Sequence, residues 1–392
     1  MNLPPPDPHG QLRRAGEPGA SYSQLSLLAK RGAAVRLAPG LYVTGAKLPV
    51  EQVVRHHALS IISRIWPGGV LCARTSFAGG MPDNGKLFVT PDNESQRRQP
   101  LKLPGLTIVP VEGPPRLPGD MSWPEGLFLS GTARGLVENV NVRGRPAAWR
   151  AGTSSVEDKI DELARTGGAG RIQTVLDQLD VIAVSFDPTP VALVRSHLAA
   201  VLGSFASSAG TPKSARLAAR LSGVPFDAHR LARLAELVTT LENTPPSPCH
   251  TSPPVKRWEW LPFFEAYFSN FIEGTEFGVE EARLIAMEGV VPAARPADAH
   301  DVAATYRLAI DAVGRAQVPR TGAELLELLC ERHATLMAAR PDKTPGEFKT
   351  VPNFAGGYEF VQPDLVVGTL TRGFDELGRL VDPFARAVAM MV

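Results

Sequence analysis

Three residues near the end of an aromatic run have types and a spacing that suit a chemical role: Ser269, Glu273 and Gly274. Glu273 follows Ser269 by four residues, so on a helix the hydroxyl and the carboxylate share one face. Gly274 comes directly after the pair, where it suits the end of a helix. Two interpretations stay open: the three residues belong to a functional segment, or they are an exposed helix end with a glycine cap.

A second group of residues follows in a regular order between positions 333 and 386. Its members are His333-Ala-Thr-Leu-Met337, Pro345-Gly-Glu-Phe-Lys349-Thr350, Asn353-Phe-Ala-Gly356-Gly357, Phe360-Val-Gln-Pro363 and Asp382-Pro383-Phe384. With residues 267–281 this succession resembles the Fic family. The matching parts are an inhibitory [ST]-x-x-x-E-G segment, a P-G-E-[FY]-[RK]-T stretch, a flap with glycine, an F-x-x-P loop and a helix leading to the catalytic loop. The resemblance covers residues 265–392.

Fic proteins usually transfer AMP from ATP to a protein hydroxyl with the help of Mg²⁺. The resemblance therefore implies ATP and Mg²⁺ as ligands of the complete protein, and a target protein with a Ser, Thr or Tyr hydroxyl. It implies that Glu273 pairs with the second arginine of the catalytic motif and blocks the γ-phosphate position, while Ser269 steadies the local hydrogen bonding.

The flap of the family is a hairpin that clamps the target backbone by strand addition. The resemblance places it near residues 350–357, and the assigned positions are Thr350, Asn353, Gly356 and Gly357. The two adjacent glycines permit the turn that such a hairpin needs.

The catalytic signature of the family, H-P-F-x-[DE]-G-N-G-R-x-x-R, does not occur in the 392 residues, because none of the eight histidines begins it. We therefore assign no catalytic residue and expect little or no AMP transfer by the chain itself. The resemblance places the motif within a few residues after Val392. A helix should begin at Asp382-Pro383 and bury a stripe of Phe384, Val388 and Met391, and we expect it to be interrupted midway.

A helix and a hairpin are predicted near the start of the chain. Residues 21–29 should form a short helix that Gly32 ends, and Pro39-Gly40 should turn between two alternating strands. This order resembles the end of a winged helix-turn-helix. Residues 30–43 also resemble the start of abortive-infection antitoxin proteins, and the similarity continues more faintly to about residue 163.

Basic residues are concentrated in the same region. Residues 1–50 contain six Lys or Arg against two acids, a local balance of +4. Lys30, Arg31 and Arg36 are therefore candidate contacts to DNA phosphates. A winged helix that binds another protein is an equal alternative.

Composition limits the function classes that remain. A net charge of +1 argues against a uniformly basic nucleic-acid binder, and no apolar run approaches the length of a membrane span. Three cysteines far apart favour a reducing compartment, so a cytoplasmic bacterial protein is expected. His56-His57 and Cys72 lack the spacing of metal ligands, and no metal site is predicted.

The sequence predicts a mixed fold in four parts. A winged-helix-like segment (1–50) precedes an α/β to α-helical antitoxin-like region (51–243). A Pro-rich linker (244–258) then leads to an all-α Fic domain with a β-hairpin flap (259–392). This Fic domain is expected to be incomplete at its C-terminus. Residues 1–20 are rich in Pro and Gly, and we expect disorder at this start of the chain.

Three functional hypotheses follow. The first is a Fic-type AMP-transferase that its S-x-x-x-E-G segment inhibits. The second is an antitoxin-like regulator that binds DNA or a partner and keeps a non-catalytic Fic remnant. The third is a Fic relative that transfers phosphocholine or removes AMP.

Overall fold

The computed structural model describes residues 7–92, 99–141, 148–203, 210–244 and 259–391. The fold is mixed α/β, as predicted, and divides into two compact units: unit 1, Met1–Leu221, and unit 2, Ser222–Val392. No helix among the described residues is both long and apolar enough to cross a membrane. The predicted linker, apart from Thr244, lies outside the described residues.

Unit 1 begins with a small antiparallel sheet and one helix. In chain order the elements are β1 (Gln11–Arg14), α1 (Tyr22–Lys30), β2 (Ala34–Ala38) and β3 (Leu41–Thr44), and the strand order is β1-β3-β2. The side chain of Ser21 caps α1 and, with Gln24, completes a reciprocal capping box. The predicted helix and hairpin are thus present. Within residues 7–44 the hairpin follows a single helix, rather than the helix pair of a helix-turn-helix.

Strand β1 corrects the expectation of disorder for residues 1–20. Gln11–Arg14 pairs antiparallel with Leu41–Thr44, so its backbone groups find partners about thirty residues further along the chain. The Pro- and Gly-rich composition around it concealed this pairing.

A six-stranded mixed sheet forms the centre of unit 1. Its side chains and those of two preceding helices bury a common core that includes Ile61, Trp66, Leu87 and Ile108. The elements are α2 (Val50–His56), α3 (Ala58–Ile65), β4 (Val70–Leu71), α4 (Ala73–Phe77), β5 (Lys86–Thr90), β6 (Leu101–Leu103), β7 (Leu106–Pro110), β8 (Met121–Trp123) and β9 (Leu127–Leu129). The strand order in the sheet is β6-β7-β5-β4-β9-β8.

Helices complete unit 1 and share a second core. They are α5 (Thr132–Asn139), α6 (Thr153–Ile182), α7 (Pro188–Val201) and α8 (Ala215–Leu221). Leu136, Ile160, Val194 and Leu217 are fully buried where these helices meet. Gly168, with φ +59°, interrupts the helical geometry of α6.

Among its described residues, unit 2 is helical apart from one short hairpin. Its helices are α9 (Ala228–Glu242), α10 (Leu261–Ile272), α11 (Val279–Glu288), α12 (Pro296–Ile310), α13 (Ala312–Ala316), α14 (Gly322–Leu336), α15 (Val366–Leu377) and α16 (Pro383–Met390), and its strands are β10 (Phe354–Ala355) and β11 (Tyr358–Glu359). Helix α12 packs against α10, α11 and α14, while α15 packs against α9 and α14. The sequence prediction grouped residues 228–242 with the preceding region, whereas α9 packs inside unit 2.

Helix α16 begins where predicted but buries a different face. The carboxylate of Asp382 accepts hydrogen bonds from the backbone N–H groups of Phe384 and Ala385, and Pro383 occupies the first turn. Phe384 is 62% exposed and Met391 is 88% exposed, so the predicted stripe is wrong. Ala385 and Ala389 are buried instead, because α16 packs through its small residues against α9.

Candidate functional site

A two-residue turn connects β10 and β11. Gly356 and Gly357 have φ values of +55° and +82°, the left-handed conformation that the turn of a tight hairpin requires. Phe354 pairs with Glu359, and the N–H of Phe360 donates to the carbonyl of Asn353 at 3.1 Å. Residues 353–360 therefore form a hairpin at the place where the flap is predicted. We call these residues the glycine hairpin.

The register decides which backbone groups of the glycine hairpin point outward. Hydrogen-bonded and non-hydrogen-bonded pairs alternate along antiparallel strands. Because Asn353 and Phe360 form a hydrogen-bonded pair, Phe354 and Glu359 form a non-hydrogen-bonded one. The N–H and C=O of Phe354 thus point away from β11, at the outer edge of β10.

Arg230 of α9 occupies the outer edge of β11. Its guanidinium donates to the carbonyl of Glu359 at 2.7 Å and to the hydroxyl of Tyr358 at 2.9 Å, and it lies 5.1 Å from the centre of the Tyr358 ring. The N-terminus of α9 is itself fixed, because Asp227 accepts from the N–H groups of His229 and Arg230. One edge of the glycine hairpin is therefore covered, whereas Phe354 on the other edge is 63% exposed.

A pocket of about 430 Å³ lies between the glycine hairpin and α14. Its lining is mostly apolar and includes Leu329, Phe348 and Val366, with Cys330 and His333 on the side of α14. The Nδ1 atom of His333 accepts a hydrogen bond from the N–H of Gly346 at 3.0 Å, so a neutral His333 carries its proton on Nε2. This contact fixes the loop before the hairpin and gives His333 a positioning role.

Lys349 lies at the base of the glycine hairpin. Its ammonium group contacts the side-chain oxygen of Asn353 and lies 5.8 Å from the centre of the Phe360 ring. Burial lowers the pKa of Lys349, and the positive charge of Arg230 lowers it further. The predicted flap residues Thr350, Asn353, Gly356 and Gly357 are all exposed.

Ser269 lies on the last turn of α10 and Glu273 is the C-cap residue of this helix, and the N–H of Glu273 donates to the carbonyl of Ser269 at 3.3 Å. Gly274, with φ +90°, ends the helix. The side chains of Ser269 and Glu273 are exposed, and neither forms a hydrogen bond or an ion pair with another residue in the described part of the chain. The carboxylate is therefore accessible to a partner.

The predicted inhibitory residues at the end of α10 and the predicted flap residues of the glycine hairpin lie in different parts of unit 2. The end of α10 and the glycine hairpin share no hydrogen bond among the described residues, and α12 packs against both α10 and α14. The structure thus brings the four flap residues together in one segment and keeps Ser269, Glu273 and Gly274 together in another.

The basic residues of unit 1 occupy the end of α1 and the strand that follows it. Lys30 is the last residue of α1, Arg31 is its C-cap and Arg36 lies in β2 opposite Tyr42. All three side chains are exposed, and none has an acidic partner in the described ranges. They form a basic surface beside the β2–β3 hairpin.

Two features of the structure were not predicted from the sequence. Arg230 holds the glycine hairpin from a helix more than a hundred residues earlier, and no local signal marks it. Asp7, His9 and His56 place three potential ligand atoms within 4.8 Å of one another. Hydrogen bonds from His9 lower the pKa of Asp7, while burial and then the charges of His9 and His57 lower the pKa of His56.

Comparison of the chain with protein-family models, with curated proteins and with solved structures found no match.

Proposed function

We propose that this chain provides the target-binding and inhibitory parts of a Fic-type protein AMP-transferase, which moves AMP from ATP to a hydroxyl of a target protein. The glycine hairpin carries the proposal. Its β11 edge is covered by Arg230, while its β10 edge presents the N–H and C=O of Phe354 outward. An extended target segment can add to such an edge through backbone hydrogen bonds.

Strand addition would serve the chemistry by positioning. A target backbone fixed along β10 places its Ser, Thr or Tyr hydroxyl at a defined distance from the hairpin, and a hydroxyl held in line for attack gains a large rate advantage over a diffusing one. The contact of Arg230 with β11 supports this role, because a hairpin held along one edge changes its conformation little when a strand adds to the other edge.

The reaction itself needs groups that the 392 residues do not contain. In the Fic family the motif histidine takes the proton of the target hydroxyl, whose oxygen attacks the α-phosphorus of ATP as pyrophosphate leaves. The motif acid holds Mg²⁺, and a glycine-rich loop holds the phosphates. We therefore propose AMP transfer for a polypeptide in which this chain is joined to that motif, and assign ATP and Mg²⁺ to no residue here.

Glu273 would inhibit such a polypeptide. Its carboxylate is exposed and has no partner among the described residues, and Gly274 bends the chain directly after it. A carboxylate of this kind can form a bidentate pair with an arginine that otherwise binds the γ-phosphate. ATP would then bind without its α-phosphate in line for attack.

The proposal predicts that Glu273→Gly raises AMP transfer by the motif-containing polypeptide about tenfold or more, because one charge-assisted contact is lost. Transfer of labelled AMP to the protein itself or to lysate proteins is the measurement. Glu276→Gly is the matched control, since Glu276 is an exposed acid three residues further on. Equal transfer by wild type and Glu273→Gly, both folded and able to bind ATP, would reduce Glu273 to a helix-end residue.

A second candidate function is an antitoxin-like regulator that binds DNA or a partner protein through unit 1. The observation that favours it is the exposed basic surface of Lys30, Arg31 and Arg36, which has no acidic partner in the described ranges. Exposed cations beside a hairpin are suited to phosphate contacts.

A further inference from the structure

We infer that Asp7, His9 and His56 form a binding site for a transition-metal dication, with Zn²⁺ as the expected ion. The Nδ1 atom of His9 lies 3.0 Å from Oδ1 of Asp7, and the Nε2 atom of His56 lies 3.7 Å from Oδ2 of the same carboxylate. Donor atoms around a tetrahedral Zn²⁺ are separated by about 3.3 Å, given bond lengths near 2.0–2.1 Å. The observed separations lie on either side of this value.

The segment that carries Asp7 and His9 is held by backbone hydrogen bonds. The N–H of Gly10 donates to the carbonyl of Asp7 at 3.0 Å, and the N–H of Lys47 donates to the carbonyl of Pro8 at 2.8 Å. His57 donates through Nε2 to the carbonyl of His9 at 3.2 Å. The two ligands from this segment are therefore presented at a defined place beside the last turn of α2.

Gly10 makes this close approach possible. Its φ is +74°, and a β-carbon at this position would lie 2.5 Å from the carbonyl oxygen of Thr44 and 2.7 Å from the nitrogen of Ala46. Such contacts would push the segment away from the end of β3. The chain thus uses a glycine to bring Asp7 and His9 against α2, where His56 lies.

The donor set selects the class of ion. Two imidazole nitrogens and one carboxylate suit Zn²⁺, Co²⁺, Ni²⁺ or Cu²⁺, whereas Mg²⁺ and Ca²⁺ prefer oxygen ligands alone. Three protein ligands leave a fourth position for water, because the site is open to solvent. The side chains of His9, Asp7 and His56 are 28%, 52% and 45% exposed.

One side chain has to turn for all three ligands to reach the same ion. The rings of His9 and His56 stack with their centres 3.8 Å apart and an interplanar angle of 8°, so their lone pairs lie in parallel planes. The exposure of His56 leaves room for another rotamer at small cost. Binding of the ion should therefore replace the stacked arrangement.

Calorimetric titration of the full 392-residue chain, carrying no added histidines, tests the site with Zn²⁺. We expect the wild type to bind one more ion than His56→Ala or Asp7→Asn, or to bind that ion at least tenfold more tightly. The matched control is His229→Ala, since His229 is an exposed histidine on α9 outside the cluster. Cysteine-bound zinc would persist in every variant and so cancels in the comparison.

Two further measurements separate metal binding from a merely structural role of the cluster. Zn²⁺ should raise the melting temperature of the wild type but leave that of His56→Ala unchanged. Co²⁺ should give the strong visible absorption of a four- or five-coordinate ion in the wild type alone. Wild-type zinc affinity in the double variant His9→Ala/His56→Ala, or complete displacement of Zn²⁺ by excess Mg²⁺, would overturn the assignment.

Discussion

Arg134 is a deeply buried charged side chain of unit 1, with 1% exposure. Its guanidinium donates at 2.7 Å to Glu138 and at 2.7 Å to Asp120, and it also reaches the carbonyls of Pro114 and Pro115. Burial lowers the pKa of Arg134, but the charges of Glu138 and Asp120 outweigh this and raise it. The network joins the loop before β8 to α5.

Arg134→Ala should destabilise unit 1 by about 3–5 kcal/mol, because it leaves two buried carboxylates without their cation. Unfolding in denaturant, followed by tryptophan fluorescence, measures this, since Trp66, Trp123 and Trp149 all lie in unit 1. Arg195→Ala is the control, because its pair with Asp180 lies at the surface of the same unit and should contribute little. Similar losses in both variants would mean that burial does not strengthen the network.

Gly10 and Gly32 have the same φ of +74°, so alanine substitutions at the two positions can separate backbone strain from steric contact. Gly32→Ala should cost about 1–2 kcal/mol through the left-handed conformation alone, because nothing lies within 4 Å of its new β-carbon. Gly10→Ala should cost clearly more, since its β-carbon meets the backbone of Thr44 and Ala46. Denaturant midpoints of the two variants decide this, and equal midpoints would show that the segment before β1 simply moves away.

Residues that act through distant partners could not be predicted from the sequence. Asp7 and His9 are separated from His56 by nearly fifty residues, so no ligand spacing exists for a motif to capture. Arg230 reaches the glycine hairpin across more than a hundred residues. In contrast Ser269, Glu273 and Gly274 could be placed on a helix end from spacing alone, because helical periodicity and a terminal glycine are local properties.

At the scale of elements, local signals in the sequence predicted where helices and turns begin, but they did not predict strand pairing or which helix face is buried. Ser21 starts α1, Pro39-Gly40 turns between β2 and β3, and Thr321 caps α14, each through contacts within four residues. Strand β1 was missed, because its pairing with β3 is non-local. The stripe of α16 failed because periodicity shows which residues share a face, and not which face another helix covers.

The turn of the glycine hairpin yields a prediction at the element scale. Gly356→Val should open the hairpin, because a β-branched residue strongly disfavours the positive φ of this position. Gly356→Asn should preserve it, since Asn tolerates that conformation. The nuclear Overhauser effect between the α-protons of Phe354 and Glu359, which face each other, is the measurement. An intact signal in the valine variant would show that Arg230 holds the strands without help from the turn.

At the scale of the whole molecule, the charges nearly cancel. Forty-one basic residues face forty acidic ones, which leaves a net charge of +1. Long-range attraction to DNA from the entire surface is therefore absent, and any DNA binding must arise from a local surface. Lys30, Arg31 and Arg36 provide one, because their charges have no acidic partner within the described residues.

Duplex DNA binding by this surface should be weak and strongly dependent on salt. Each phosphate neutralised contributes about 0.9 to the slope of log affinity against log salt, so three cations give a slope of about −2.7. Arg31→Ala and Arg36→Ala should each lower the affinity and flatten the slope by about 0.9. Arg307→Ala is the control, since Arg307 is an exposed arginine of unit 2 with no described ion pair. Fluorescence anisotropy of labelled duplex across a salt series measures both quantities. A slope that neither unit 1 variant changes would assign this surface to a protein partner, because contacts between proteins do not require the release of DNA counterions.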